Sequence, residues 1–374
     1  MRTLFVSPEH LAQRTADFAQ SGVAADGVEQ RRHQIVVARA RFRIRCVAEN
    51  IEGARNISII TCFAEAVQLF GLGAFGGLID AEGFDGRVVL GLVSIHPDDH
   101  GLAGLDFLRK EGDGKFSLAP ESAAFLVSNK PGFQGGLIRH TSEQLLPNWL
   151  QLNQVVATGK PAISVNQQGP GSEFFEHFVN DIFPMSYHVA RELAQHLDLG
   201  AEDGPVSVLD LAAGSGVWGI ALAQSSNQVR VIAVDWPGVL PVTRKTVARF
   251  GLADRFTFNE GDLLDASFGS EHNVATLGHI LHSLGRDDSK TLLNRTFQAL
   301  APGGTIAIAE FLVNDDRTGP LNALTFALNM LVNTDCGDTF SFEEIAGWLG
   351  EAGFTDAHTL ATHGPSPLIL ATKP

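Results

Sequence analysis

The 374-residue chain is 44% hydrophobic and carries a formal charge of −15 at neutral pH. That apolar share excludes wholesale disorder, and the length fits two or three domains. The acidic balance argues against nucleic acid or an anionic membrane as partner. Cys46, Cys62 and Cys336 stand far apart with no metal-ligand spacing, so a reduced, cytoplasmic setting and no metal are expected.

Residues 1–6 are too short an apolar start for a signal peptide. Arg39, Arg41, Arg43 and Arg45 alternate with Ala40, Phe42 and Ile44. That is strand spacing with one basic face, read as a solvated edge strand rather than an anion patch. The apolar stretch 57–79 contains Glu65, Gln68 and glycines 71, 73, 76 and 77, which favours buried helices over a membrane span. Residues 105–120 read as a hairpin turning at Glu111-Gly112-Asp113-Gly114, and Pro120 starts a short helix. A helix over 137–158 is expected to be interrupted at Pro147 and to end at Gly159-Lys160-Pro161. After a loop at 167–171, residues 172–197 give an amphipathic helix pair broken at Pro184, with Phe174, Phe175, Phe178 and Ile182 along one stripe. Residues 202–205 form a hinge.

Elements then alternate. Strand 206–212, helix 217–225, strand 229–234, helix 239–250 and strand 255–259 are followed by strand 274–280, helix 287–300 and strand 304–310. A helix at 342–352 and a hairpin at 356–373 close the chain. This is an α/β pattern: a parallel sheet with helices on both faces and a terminal antiparallel pair. Its centre is VSVLDLAAGSGVWGIALA, a strand, a glycine-rich turn and a helix. Gly214 and Gly216 free the backbone and let a ligand lie on the helix N-terminus. Ligands of such sheets bind at the carboxyl ends of the strands, which selects Asp210, Asp235, Asp262, His282 and Glu310. Gly214, Gly216 and Gly219 followed by Asp235 also spell a dinucleotide fingerprint, so an NAD-dependent oxidoreductase is one reading. Asp210, four residues before Gly214, suits a cationic ligand better than a pyrophosphate.

With Glu260-Gly261-Asp262-Leu263-Leu264 and Leu300-Ala301-Pro302-Gly303-Gly304 following in order, the chain resembles the S-adenosylmethionine-dependent small-molecule O-methyltransferases, the caffeate-type enzymes of plants and the hydroxyneurosporene-type and polyketide-modifying enzymes of bacteria. The resemblance covers residues 105–374. It implies a Rossmann-like class I methyltransferase domain over 201–374 and a helical connector lining the active site over 126–200. Before these it implies a mainly helical, winged-helix-like dimerisation domain over 1–125, hence a homodimer; the glycine-rich stretch 81–104 departs from that pattern. The implied cofactor is S-adenosylmethionine. Gly214 and Gly216 would cradle it, with Asp210 near its ammonium and sulfonium end and Asp235 on the ribose hydroxyls. Trp236 and Leu263 would sandwich the adenine, Asp262 would accept from its amino group, and Ser186 would touch the cofactor. Met185, Phe326, Met330 and Asn333 (or Asn329) would line the acceptor pocket, and an apolar lining suits a hydroxylated aromatic or polyketide-like small molecule.

His282, after an aliphatic pair, matches the family's general base. A phenol with pKa near 10 is little ionised at neutral pH, and an imidazole with pKa near 6.5 can take its proton. Glu310 matches the glutamate that orients the base, as in a serine triad. His279 and His282 as metal ligands are disfavoured because strand residues three apart face opposite sides. Two departures stand out: Ser283-Leu284 follow the base instead of Asp and an aromatic residue, and the place of a second glutamate falls near Thr339 in Cys336-Gly337-Asp338-Thr339. Either Glu310 holds the base alone or Asp338 substitutes. The remaining alternatives are a cofactor-binding relative that decarboxylates or hydroxylates, and a cofactor-sensing regulator using the hairpin at 105–120.

Overall fold

Side chains alternate across a strand, and this divides the core. In the computed structural model, which describes residues 97–374 apart from 113, 131, 167, 201–203 and 365, Val206 and Val208 enter one buried cluster and Leu209 and Leu211 the other. The basic alternation at 39–45, the apolar stretch 57–79 and most of the expected dimerisation region lie outside the described residues.

The described chain opens with helix α1 (Pro97–Gly104), which the glycine-rich stretch did not predict, and then the expected hairpin β1 (Leu108–Lys110) and β2 (Phe116–Leu118). Helix α2 (Pro120–Phe125) follows. Next, α3 (Gly135–Arg139) runs through a π-helical segment, His140–Leu145, into α4 (Leu146–Trp149), and α5 (Leu152–Thr158) ends at Gly159. Pro147 does not interrupt this run. It sits in the first turn of α4, and the break falls instead at Leu150-Gln151. The helix pair α6 (Gln168–Asp181) and α7 (Phe183–Leu197) does break beside Pro184, which occupies the first turn of α7, where a missing N–H costs no helical bond.

The remaining elements are β3 (Val206–Leu211), α8 (Val217–Ser225), β4 (Val229–Asp235), α9 (Leu240–Arg249), β5 (Phe256–Glu260) and β6 (His272–Gly278). Then come α10 (Leu281–Ala299), β7 (Leu300–Ala309), α11 (Leu321–Asn333), α12 (Phe342–Ala352), β8 (Thr355–Leu360) and β9 (Leu368–Thr372). The seven strands β3–β9 stand in the order β5-β4-β3-β6-β7-β9-β8, all parallel except β9, which runs antiparallel to both neighbours. The chain moves outward from β3 through β4 to β5 and returns beside β3 as β6. That reversal opens a crevice at the carboxyl ends of β3 and β6.

Several boundaries differ from expectation: helix α6 begins at Gln168, inside the expected loop, and three more shifts follow. Strand β7 begins at Leu300, because the Ala301–Gly304 stretch is absorbed by a register shift opposite His272 and Val274. Helix α10 begins at Leu281 rather than 287, and β6 already ends at Gly278. Gly285, at φ 75° and ψ −179°, separates the first turn of α10 from the rest, so the sequence after 286 looks like a fresh helix start. His282 therefore sits in a helix's first turn, not on a strand. No helix among the described residues is long and apolar enough to cross a membrane.

Candidate active site

A cavity of about 490 Å³ occupies the crevice, walled by α6, α7 and α11 above the strand ends. Its floor is the turn after β3, where Gly214 (φ 55°) takes left-handed backbone angles that a glycine adopts without steric cost; Gly216 (φ 77°) shares that conformation but lies off the cavity wall, where a Cβ would meet Thr243 and Val247. Asp235, at the end of β4, ties this turn down: Gly214 N–H donates to Oδ2 at 2.8 Å and Trp236 N–H to Oδ1 at 2.7 Å. Burial outweighs these two donors and pushes the Asp235 carboxyl up to about 6. The Trp236 indole N–H donates to Asp262 Oδ2 at 3.0 Å, and Leu264 N–H to Asp262 Oδ1 at 2.9 Å. Ser186, Met185 and Leu263 line the same space.

Asp210 does not reach the cavity wall. It is fully buried beneath the turn, accepting from Thr276 Oγ1 at 2.7 Å and from Gly219 N–H at 3.0 Å. Burial, reinforced by the Asp235 charge, raises its carboxyl to about 7 against those two hydrogen bonds. Its place in the chain meets the strand-end rule, but its side chain turns down toward α8. Gly219 is where α8 packs on β4: a Cβ there would lie 2.7 Å from Val231. Either cofactor fold needs that close approach, so Gly-x-Gly-x-x-Gly does not separate the two cofactors.

The far corner holds His282, whose Nδ1 lies 2.7 Å from Glu310 Oε2. Glu310 Oε1 accepts the backbone N–H of Leu281 at 2.7 Å and of His282 at 3.3 Å, so one carboxylate fixes both the imidazole and the helix turn that carries it. Burial would raise Glu310, but the charge and hydrogen bond of His282 and the charge of His279 outweigh it and hold the carboxyl below its ordinary value. His282 Nε2 makes no hydrogen bond to a described residue, and the side chain lines the cavity. Phe326 meets the His282 ring edge-on at 4.8 Å and 85°.

His279 (φ 59°) also lines the cavity, its ring 6.4 Å from that of His282. The strand argument that put the two on opposite sides fails because the chain leaves β6 before either. Burial pushes His279 down to about 4, and its Nε2 bonds Ser366 Oγ at 2.8 Å. Asp338 does not replace the second glutamate: its carboxylate pairs with Arg317 at 3.0 Å, and only its backbone N–H reaches back, to the His282 carbonyl at 2.9 Å. Thr339 is buried with its hydroxyl on the Ala323 carbonyl.

A sequence profile of the O-methyltransferase domain matches residues 153–355, more than half of the chain. The chain belongs to the S-adenosylmethionine-dependent O-methyltransferase family. It is 29% identical to the tetracenomycin polyketide synthesis 8-O-methyl transferase of Streptomyces glaucescens, over 73% of this chain and 80% of that protein. It is 32% identical to acetylserotonin O-methyltransferase of Bos taurus, over 70% of this chain and 77% of that protein. Among solved structures it superposes on an O-methyltransferase family protein from Burkholderia thailandensis with TM-score 0.65 and 26% identity, covering 74% and 82% of the two chains. The fold is that of a class I methyltransferase, and the cofactor is S-adenosylmethionine rather than a dinucleotide.

The methyltransferase cavity has the donor set this cofactor needs. Each Asp235 oxygen has accepted one N–H and keeps a lone pair for a ribose hydroxyl, and an indole and an aliphatic side chain, Trp236 and Leu263, stand beside Asp262. Phe326, Met330 and Asn333 all line the cavity. Asn333 is less free than expected: Oδ1 accepts from Asn148 at 2.8 Å and Nδ2 donates to Asn329 Oδ1 at 3.0 Å, which also takes the Trp149 indole N–H at 2.9 Å. These bonds fasten α11 to α4.

Sequence reasoning missed His140, Phe311 and Asn166, all on the cavity wall. His140 stacks on Phe178 at 3.9 Å and bonds Gln144 at 2.5 Å, and burial pushes it down to about 4. A histidine and a glutamine four apart in one helical run were the available signal. Phe311 directly follows Glu310, so the strand-end rule extended by one residue finds it.

Proposed function

We propose that this methyltransferase transfers a methyl group to the hydroxyl of a small aromatic or polyketide-like acceptor, with His282 as general base and Glu310 as its positioning residue. One observation carries the reading: Glu310 Oε2 takes the Nδ1 side of His282 at 2.7 Å, which leaves Nε2 as the proton acceptor on the cavity side. The bound cofactor supplies an electrophilic methyl group. His282 takes the acceptor's proton at Nε2, and Glu310 compensates the imidazolium at Nδ1. Asp235 holds the ribose hydroxyls, Trp236 and Leu263 the adenine, Asp262 its amino group, and Ser186 a further cofactor contact. Gly214 and Gly216 let the cofactor approach the backbone, and Asp210 supports that turn from below.

Phe326, Met330 and Met185, with Asn333 at the edge, form the acceptor wall in this reading. Mostly apolar surface with a few polar groups suits a flat, hydroxylated ring. The relatives named for tetracenomycin polyketide synthesis and for acetylserotonin support that class. On the resemblance alone, the reading includes residues 1–125 as a dimerisation domain, 126–200 as connector and 201–374 as catalytic domain, in a cytoplasmic homodimer. Sedimentation of the full chain tests the dimer. Methyl-labelled cofactor incubated with a panel of phenols, aliphatic alcohols and amines tests the chemistry. Label on phenolic oxygen is expected; label only on nitrogen or carbon, or loss of a carboxyl group without transfer, would overturn it.

A further inference from the structure

A cluster of metal-ligating side chains lies outside the cavity, where the turn between β8 and β9 meets α7. His188 and Glu192 are one helical turn apart on α7 and so share a face. His188 Nε2 lies 3.0 Å and His363 Nδ1 2.7 Å from the same oxygen, Glu192 Oε1. The three ligand atoms are all within 4.8 Å of one another, and no other such trio is found among the described residues.

The arrangement is held from behind. Glu192 Oε2 accepts the backbone N–H of His363 at 3.1 Å, which aims Oε1 between the two imidazoles. The turn sits flat on the helix: a Cβ at Gly364 would come 2.1 Å from Val189 Cγ2. Within the turn, Thr362 Oγ1 donates to the Ser366 carbonyl at 2.8 Å and accepts from Gly364 N–H at 3.3 Å. A supported carboxylate with two converging imidazoles is how first-row metal ligands are oriented.

We propose that His188, Glu192 and His363 form a surface site for a divalent transition metal of the zinc class, fastening the turn of the terminal hairpin to α7. Two imidazole nitrogens and one carboxylate oxygen are a zinc set that leaves the fourth position to water. Bonds of about 2.0–2.2 Å in a tetrahedron separate ligand atoms by about 3.3 Å, so the two histidine–glutamate pairs must open from 3.0 and 2.7 Å while the two imidazole nitrogens, within 4.8 Å of each other, settle to the same spacing. Their imidazoles, 68% and 86% exposed, are free to do so and to carry their protons on the outward nitrogens. The site joins two parts of the cavity wall: α7 carries Met185 and Ser186, and Ser366, three residues after His363, bonds His279.

The test uses untagged, full-length protein freed of metal with a chelator and titrated with Co²⁺, then Zn²⁺. One Co²⁺ per chain is expected, with visible absorption bands of a four-coordinate site that Zn²⁺ removes, and with a raised thermal midpoint. His363→Ala and His188→Ala should each weaken Zn²⁺ binding at least tenfold while keeping the wild-type circular dichroism, and the exposed control His358→Ala should bind as wild type. The proposal is overturned if the wild type takes up Zn²⁺ only at millimolar concentration, or if both histidine variants titrate like the wild type.

Discussion

Glu310 grips His282 twice: Oε2 lies 2.7 Å from Nδ1, while Oε1 accepts the His282 backbone N–H at 3.3 Å. A buried carboxylate that holds both the ring and its peptide fixes tautomer and position together. Glu310→Gln retains the shape but loses the charge that, in the proposed function, compensates the imidazolium. The expected result is a fall in kcat of about 10²-fold or more, little change in cofactor affinity, and a displaced pH–rate profile. A merely structural role would move stability and leave the profile in place. The sign of the stability effect follows from the depressed carboxyl: its contribution is present above the ordinary glutamate pKa and is lost as pH falls through the lower folded value.

Asp235 has the opposite sign. Its carboxyl is raised to about 6, so the folded state holds the proton more tightly than the unfolded chain. That contribution is full below the ordinary aspartate pKa and is lost as pH rises toward about 6. In the proposed function the ribose hydroxyls bind the ionised Asp235, so cofactor affinity should fall as pH drops below about 6. Asp235→Ala should weaken binding about tenfold or more, the scale of hydrogen bonds to a charged group. Calorimetric titration across pH checks both statements.

Asp338 tests the missing second acid. Its carboxylate faces Arg317, and both side chains are about two-fifths exposed. Asp338→Ala should leave kcat within about twofold and cost less than about 1 kcal/mol, the range of exposed ion pairs. A hundredfold loss of kcat would show that the carboxylate acts on the base after all. Steady-state kinetics with a urea titration separates the two.

Gly278→Ala probes the cavity wall. A Cβ there would stand 1.9 Å from Trp218 Nε1, and Trp218 is almost fully buried. The indole must move, at a cost of about 1–3 kcal/mol for an overpacked site, and transfer should fall with it because Trp218 lines the cavity. Denaturant unfolding and kcat/KM measured on one preparation check this.

The carboxyl ends of β3, β4 and β7 were legible because apolar runs mark those strands, and the carboxyl-end rule then picks out Asp235 and Glu310 without knowledge of any contact. Where those side chains point was not legible. Asp210 obeys the same rule, yet its carboxylate turns under the glycine turn to Thr276 and Gly219. His282 was found as a residue but assigned to a strand, since Gly285 breaks α10 after its first turn and hides that turn from helical periodicity. His140 was missed because the π-helical segment it begins shifts the side-chain phase away from the 3.6-residue repeat. The metal-ligand trio joins residues 171 positions apart, a distance no local pattern spans.

The most direct test is His282→Ala, read by calorimetric titration with S-adenosylmethionine and by single-turnover methyl transfer to a phenolic acceptor. Cofactor affinity within about twofold of wild type, with transfer slowed by about 10²–10⁴-fold, is the predicted result. Transfer at the wild-type rate would contradict the account and place the proton acceptor elsewhere in the cavity.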